Sequence, residues 1–255
     1  MTRFTGQVAI VTGAAGGIGS AVARRLAADG ASVALVDRDV RHLQEVAADF
    51  PANDVLAIEA DVTNEDDVAR YVRQTVDRFG RLDLLFNNAG IEGRVANIVD
   101  SQLTDFDRVM AVNVRGVYLG LREVLRVLQR QNQGGAIVNT ASVAGLRGAA
   151  GVAPYIASKH AVIGLTRTAA QEAASFGVRV NAVAPGYIDT RMIQALAEAR
   201  SPGHPDAAVQ AMASRAPLQR LGAPDEVANL VTWLLSSEAS YITGSIQVID
   251  AGLTA

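Results

Sequence analysis

Short apolar runs alternate with longer helical patterns along almost the whole sequence, and this alternation constrains the fold most strongly. Seven runs rich in Val, Ile and Leu predict strands at residues 7–13, 32–37, 55–61, 82–90, 136–142, 178–186 and 245–250. Near-continuous apolar runs are typical of parallel strands that are buried on both faces. Helical patterns lie between them, at about residues 18–29, 39–49, 64–79, 104–131, 156–175 and 224–237. The alternation predicts an α/β fold with one doubly wound parallel sheet of about seven strands and helices on both faces.

The sequence shows no internal repeat and no linker, so we expect a single domain over residues 1–255. The rhythm of strands and helices breaks only at 187–222, where "RSPGHPD" (200–206) predicts a loop because proline and glycine interrupt helices. An excursion of this length is either a functional lid or a surface insertion. Its position after the end of a strand favours a lid.

Composition and charge exclude several classes of function. The formal net charge is −3 with no basic block, so we expect no nucleic-acid partner. No run approaches the length of a membrane span and the first residues lack a signal-peptide profile, so we expect no membrane association and a cytoplasmic location. The chain has no cysteine and its three histidines are scattered, so we expect no metal site.

The segment "VAIVTGAAGGIGSAVARRLA" (8–27) reads as a strand, a glycine-rich turn and a helix. Gly13, Gly17 and Gly19 would allow a tight turn, close approach of a pyrophosphate and packing of the helix on the sheet. The helix N-terminus would then offer free N–H groups to phosphate. The spacing G-x-x-x-G-x-G departs from the usual dinucleotide fingerprint, so on its own it fits a purely structural turn equally well.

Two acidic residues favour a dinucleotide site and indicate which dinucleotide it binds. Asp37 closes the second predicted strand, where a carboxylate can accept hydrogen bonds from a ribose 2′-OH and would repel a 2′-phosphate. Asp61 ends the third predicted strand, where it could meet the adenine edge; its alternative role, a helix cap, suits Thr63 or Asn64 better. We therefore predict NAD as the cofactor, with some tolerance of NADP left open by Arg38.

The stretch "PYIASKHAV" (154–162) places Tyr155 and Lys159 four positions apart, on one face of a predicted helix. Spacing alone favours two ordinary helix residues, because a free tyrosine has a pKa of about 10 and is a poor base at neutral pH.

Together, the motifs resemble those of the short-chain dehydrogenase/reductase family, in the branch without a separate substrate domain. They occur in the same order: "TGAAGGIG" (12–19), "NNAG" (87–90), Asn113, Ser142, "YIASK" (155–159) and "PGYIDT" (185–190). The likeness extends to "YITGSIQVIDAG" (241–252), and it departs from many relatives only in Ala251, where they have a second glycine. The resemblance implies a Rossmann-type fold.

The resemblance also implies roles for individual residues. Tyr155 would be the catalytic acid/base and Lys159 its electrostatic partner, while Ser142 would hydrogen-bond the substrate oxygen and Asn113 would hold a water in a proton relay. The cofactor site would comprise Gly13, Gly17, Ile18, Gly19, Asp37, Asp61, Val62, Asn88, Tyr155, Lys159, Pro185, Gly186, Ile188 and Thr190. The substrate would contact Ser142, Tyr155 and Tyr187.

Residue chemistry supports a hydride-transfer mechanism. Oxidising a secondary alcohol requires loss of a hydride from carbon, which a nicotinamide accepts, and loss of a proton from oxygen, for which the protein supplies the acceptor. A lysine cation about 4 Å from a phenol contributes about 4 kcal/mol at an effective dielectric near 20. Lowering a tyrosine pKa from about 10 to about 7 needs a similar free energy. We therefore expect Lys159 to lower the pKa of Tyr155 toward neutrality.

The sequence thus predicts an NAD(H)-dependent enzyme that interconverts a secondary alcohol and a ketone. Two alternatives remain: an NADPH-dependent 3-oxoacyl carrier-protein reductase, and a non-enzymatic dinucleotide-binding protein on the same scaffold. Apolar residues on more than one face of the helices at 104–131 and 156–175 indicate burial, against the sheet or against another subunit. In the family these helices form subunit contacts, so the resemblance implies a homotetramer.

Overall fold

A computed structural model of the protein describes residues 2–255 and contains a seven-stranded parallel sheet in the order β3-β2-β1-β4-β5-β6-β7. The strands are β1 (Val8–Thr12), β2 (Ser32–Asp37), β3 (Val55–Glu59), β4 (Leu84–Asn87), β5 (Gly135–Thr140), β6 (Val178–Pro185) and β7 (Ile246–Ile249). The α-helices are α1 (Gly17–Ala28), α2 (Val40–Ala47), α3 (Glu65–Phe79), α4 (Leu103–Met110), α5 (Gly116–Gln131), α6 (Ala153–Ala173), α7 (Arg191–Arg200), α8 (Pro205–Ala213) and α9 (Pro224–Leu235). Within residues 2–255, every helix is too short or too polar to cross a bilayer.

The central strands are apolar at most positions because successive side chains point to opposite faces of the sheet, and both faces are covered. Ile10 and Ile137 pack into a core with buried residues of α3, α5 and α6. Their neighbours Val11 and Val138 pack into a second core with residues of α1, α2 and α9. These two cores confirm the predicted doubly wound architecture.

The order of the strands reverses at β1 and thereby locates the ligand-binding edge. The chain runs outward from β1 through β2 to β3, then returns to place β4 on the other side of β1. Thr12 pairs with Val36 of β2, and Val11 pairs with Phe86 of β4. The carboxyl ends of β1, β2 and β4 therefore lie side by side, at the switch point where doubly wound sheets bind ligands.

The predicted helix over 104–131 is interrupted near the middle. α4 ends at Met110, a π-helical turn spans Ala111–Arg115, and α5 then continues in the same direction. Asn113 lies in this turn and is fully buried. Such π turns occur mostly as local bulges in α-helices and are frequent at functional sites.

The segment 187–222 contains two helices rather than a long loop. α7 and α8 are separated at residues 201–204, inside the stretch that proline and glycine predicted to be a break. Ile193 and Ala197 of α7 pack against Met212 of α8 in a small separate core. The observed loop is therefore shorter than the predicted loop at 200–206. Pro205 is compatible with the first turn of a helix, and it begins α8.

We expect Gly19→Ala to destabilise the fold, since a Cβ on Gly19 would lie 2.1 Å from the carbonyl oxygen of Gly13. The backbone of the turn would have to move, at a cost of at least about 2 kcal/mol in the free energy of unfolding. Gly148→Ala is the matched control, because a Cβ there meets no atom within 4 Å. Urea denaturation should show the control within about 0.5 kcal/mol of the wild type. Equal stability of the two variants would contradict the close approach of Gly13 and Gly19.

Candidate active site

A cleft of about 810 Å³ opens at the carboxyl edge of the sheet, within the size range of small-molecule sites. It collects all but two of the residues predicted for the site. Those that line it are Gly13, Gly17, Ile18, Asp37, Asp61, Val62, Asn88, Ser142, Tyr155, Lys159, Pro185, Gly186, Tyr187, Ile188 and Thr190.

Asn113, one of the two exceptions, is held behind the cleft by its own hydrogen bonds. Its amide nitrogen donates to the backbone oxygen of Ile91 at 2.8 Å and to Oγ of Ser158 at 3.0 Å. Its side-chain oxygen accepts the Ile91 N–H at 2.8 Å. Because both amide hydrogens are used, the Asn113 side chain fixes the loop that follows β4. Gly19, the other exception, lies inside the glycine turn.

The glycine turn and the end of β2 are joined by Asp37. One carboxylate oxygen accepts the Ala15 N–H and the other accepts the Asp39 N–H, both at 3.0 Å. A carboxylate has about four lone-pair sites, so each oxygen keeps one for a ligand hydroxyl. Gly13 starts the turn at φ +66°, a conformation that favours glycine.

The residues present fit a dinucleotide. The N-cap of α1 is Gly16, which has no side chain to cap the helix, so the N–H groups of the first turn are available to an anion in the cleft. Asp61 is exposed and lines the cleft, and one of its carboxylate oxygens accepts the Thr63 N–H at 2.8 Å. Asn64, rather than Asp61, caps α3, in agreement with the sequence.

A chain of hydrogen bonds connects the glycine turn to Lys159. The Asn88 side chain donates to the Thr12 backbone oxygen at 3.1 Å and accepts from the Thr140 hydroxyl at 3.1 Å. The Thr140 backbone oxygen in turn accepts from Lys159 Nζ at 2.7 Å. Asn88 therefore lines the cleft as predicted, yet it ties together the ends of β1, β4 and β5. Thr12 and Thr140 were not among the predicted site residues; each is the last residue of its strand, one position before Gly13 and two before Ser142.

Ser142, Tyr155 and Lys159 converge on one part of the cleft. Lys159 Nζ lies 5.5 Å from the centre of the Tyr155 ring, one helical turn away on α6. The Ser142 hydroxyl accepts the Ala144 N–H at 3.1 Å and donates to the Pro185 oxygen at 3.4 Å. These two contacts fix the serine on the side of the cleft formed by the ends of β5 and β6.

Comparison with known proteins identifies the family. Residues 13–254 match the family model described as enoyl-(acyl carrier protein) reductase. Levodione reductase of Leifsonia aquatica is 42% identical over 258 residues, covering 100% of this chain and 96% of that protein. The crystal structure of levodione reductase superposes with a TM-score of 0.96 over 98% of both chains. The chain belongs to the short-chain dehydrogenase/reductase family. The predicted resemblance and the predicted Rossmann-type fold are thus confirmed.

Other family members narrow the reaction class. Cyclohexanol dehydrogenase of an Acinetobacter species is 40% identical, covering 99% of this chain and 96% of that protein. The 3-oxoacyl-[acyl-carrier-protein] reductase of Thermotoga maritima is also 40% identical, over 98% of this chain and 99% of that protein. The structure of NAD⁺-bound xylitol dehydrogenase has a TM-score of 0.90 and 38% identity, over 97% of this chain and 98% of that chain. The prediction of an oxidoreductase that acts on a CH–OH group is confirmed.

In this short-chain dehydrogenase/reductase, burial shifts the pKa values of Tyr155 and Lys159 in opposite directions. Burial raises the pKa of Tyr155 to about 12; the Ser142 hydroxyl partly offsets the rise and the Glu92 carboxylate adds to it. Burial also lowers the pKa of Lys159 to about 8. The expectation that Lys159 brings the pKa of Tyr155 toward 7 is therefore wrong for the groups of this chain by themselves. The lysine loses its proton before the phenol does, so it offers no cation at the pH where the phenol titrates.

Lys159 is the only lysine in the sequence; every other basic side chain except three histidines is arginine. Arginine stays protonated in proteins, whereas lysine changes its pKa readily when it is buried. The presence of one lysine among many arginines was therefore a signal in the sequence that Lys159 titrates, beyond the Tyr155–Lys159 spacing.

The single lysine allows a direct test of its pKa. We expect protein labelled with ¹³C at lysine Cε to give one NMR signal that titrates near pH 8, because burial disfavours the charged form. The urea-unfolded chain is the control and should titrate near 10.4. Since the unfolded chain then binds more protons between these values, the free energy of unfolding should rise by about 2 kcal/mol from pH 8 to pH 10. A folded-state midpoint near 10.4 would contradict the burial of Lys159.

Proposed function

We propose that the protein interconverts a secondary alcohol and a ketone with NAD(H), and that Tyr155 is its acid/base. The observation that carries the proposal is the convergence of Ser142, Tyr155 and Lys159 in the cleft that also contains the glycine turn and Asp37. A non-enzymatic dinucleotide-binding protein would not need these three side chains together.

Each of these residues has a distinct part in the proposed reaction. The nicotinamide, when bound, accepts or donates the hydride. In the oxidative direction, Tyr155 Oη takes the proton of the alcohol while Ser142 Oγ hydrogen-bonds the same oxygen and orients it. Below pH 8 the cationic form of Lys159 is present in the folded protein, so it stabilises negative charge that develops on the phenol oxygen. Asn113 acts through the loop after β4, and a water held near it stays part of the proposal.

The cofactor half of the cleft favours NAD. Asp37 would accept hydrogen bonds from the 2′-OH of the adenosine ribose, and its charge would repel a 2′-phosphate. Arg38, the next residue, is exposed and lines both this cleft and a shallow cavity beside it. Among residues 2–255, Arg38 makes no ion pair, so it provides a measurable tolerance of NADP.

One observation favours the alternative, an NADPH-dependent 3-oxoacyl carrier-protein reductase. Arg147, Arg191 and Arg200 line the cleft, whereas the sequence had suggested no basic site near the substrate. The Arg147 side chain donates to the backbone oxygen of Leu253. Hydrogen bonds with His42 lower the pKa of the Asp39 carboxyl most, and the nearby Arg191 adds to this effect. Arg147 and Arg191 thus have acceptors or acidic neighbours within the protein, which weakens the case for an acidic carrier.

The surrounding structure supports three further parts of the proposal. The chain acts as a single domain in the cytoplasm, and the α7–α8 hairpin is a lid, since Tyr187 and several residues of α7 line the cleft.

The protein is a homotetramer. Val124 of α5 and Val162 of α6 are buried in the core beneath the sheet, so they give no information on the oligomeric state. Exposed apolar side chains on α4, on α5 and near the edge strand β7 support it instead: Leu103, Tyr118, Tyr241 and Val248.

The test is turnover of a panel of secondary alcohols with NAD⁺ and NADP⁺, and of a 3-oxoacyl thioester with NADPH. We expect kcat/KM to be at least about tenfold higher with NAD⁺, because a like charge opposes the 2′-phosphate. Asp37→Ala should reduce this preference, and Arg38→Ala is the matched control that should increase it. Preference for NADP⁺, or turnover only of the thioester, would contradict the proposal, and no turnover at all would favour the non-enzymatic alternative.

A further inference from the structure

Glu92 is held against the substrate side of the cleft by contacts on both sides of it in the sequence. Ile91 is bound to Asn113 through both its N–H and its carbonyl oxygen. On the other side, the Arg94 N–H donates to Asp105 at 2.8 Å, and Asp105 is buried. Between them Gly93 has φ +75°, and a Cβ on it would lie 2.7 Å from Val109. The backbone that carries Glu92 therefore has little freedom to move.

The Glu92 carboxylate has no hydrogen-bond or ion-pair partner within residues 2–255. It is half-buried and lines the cleft, and within residues 2–255 it makes neither a hydrogen bond nor an ion pair. Arg108, which lines the same cleft, is paired with Asp105 at 2.9 Å. The negative charge of Glu92 is close enough to Tyr155 to add to the rise that burial causes in the pKa of the phenol. A half-buried carboxylate in an open cleft is available to accept hydrogen bonds from a ligand.

Besides Arg147, Arg191 and Arg200, the cleft is lined by apolar side chains that include Val143, Ala149, Val152, Ile193 and Leu196. A substrate that fills this space therefore has an apolar frame, with one oxygen at Ser142 and Tyr155 and a separate polar group that can reach Glu92.

We propose that Glu92 is a specificity-determining residue that accepts a hydrogen bond from a second hydroxyl of the substrate, so that the enzyme favours compact diols and hydroxyketones over alcohols with one hydroxyl. This inference rests on the proposed alcohol–ketone reaction and assigns its substrate class. A carboxylate accepts hydrogen bonds and repels anions, so substrates that carry a carboxylate near the reacting carbon are disfavoured.

The experiment compares cyclohexanol, 1,2-, 1,3- and 1,4-cyclohexanediol with NAD⁺ in the wild type and in variants. We expect kcat/KM for the best diol to exceed that for cyclohexanol by about tenfold or more, as for other hydrogen bonds to a charged group. Glu92→Ala should remove most of this preference, measured as the ratio of kcat/KM for the diol to kcat/KM for cyclohexanol, because a changed pKa of Tyr155 affects both substrates alike. Glu92→Gln keeps one acceptor and should give an intermediate preference. Glu172→Gln, an equal charge change at an exposed residue of α6, is the control and should match the wild type.

The outcomes separate this inference from the proposed function. Oxidation of cyclohexanol as fast as of every diol, or an equal loss on all substrates in Glu92→Ala, would overturn the role of Glu92 and leave the alcohol–ketone reaction intact. Failure of the wild type to oxidise any of the four alcohols, or any other alcohol of the panel, would overturn both. Thermal unfolding of each variant checks that it is folded, which we expect because the Glu92 side chain makes no hydrogen bond or ion pair within residues 2–255.

Discussion

The hydrogen-bond chain from Thr12 through Asn88 and Thr140 to Lys159 holds the functional cleft together. Its first members fix the ends of β1 and β4, and its last places the lysine amine against the end of β5. Parallel pairing brings these strand ends to one edge of the sheet. The hydrogen bonds between Thr12, Asn88, Thr140 and Lys159 then fix their relative positions. The glycine turn and the Tyr155 helix, more than a hundred residues apart in sequence, are thereby parts of one rigid arrangement.

Burial is the second determinant of the site, and it shifts the pKa values of Tyr155 and Lys159 in opposite directions. It opposes the charged form of each group, so it raises the pKa of Tyr155 and lowers that of Lys159. At neutral pH the folded protein therefore holds a protonated phenol beside a lysine that ionises at a free-energy cost. A phenol with a pKa of about 12 stays protonated near physiological pH and can act as a proton donor in the reductive direction, and the Glu92 carboxylate adds to the rise in its pKa.

The sequence predicted the strands, their parallel pairing and most of the site, because each depends on local patterns. The run "VAIVTG" and the glycines after it contain enough information for β1, the turn and α1, and Tyr155 and Lys159 share a helix face by spacing alone. The π turn at Asn113, the two helices of the 187–222 segment and the bonds of Thr12 and Thr140 depend on contacts between distant residues. The direction of the pKa shift of Tyr155 was predicted wrongly because burial is a property of the folded chain, whereas the attraction of a nearby lysine can be inferred from spacing.

In the proposed reaction the Tyr155 hydroxyl exchanges the proton of the alcohol, while the glycine turn and Asp37 supply most of the dinucleotide binding. The most direct measurement is the pair of NAD⁺ affinity and single-turnover rate in Tyr155→Phe, which removes one oxygen and leaves the ring in place. For Tyr155→Phe we expect an NAD⁺ dissociation constant within about threefold of the wild type. We expect its single-turnover rate to fall by at least about 10²-fold, the lower range for loss of a general acid/base. Turnover near the wild-type rate would contradict it.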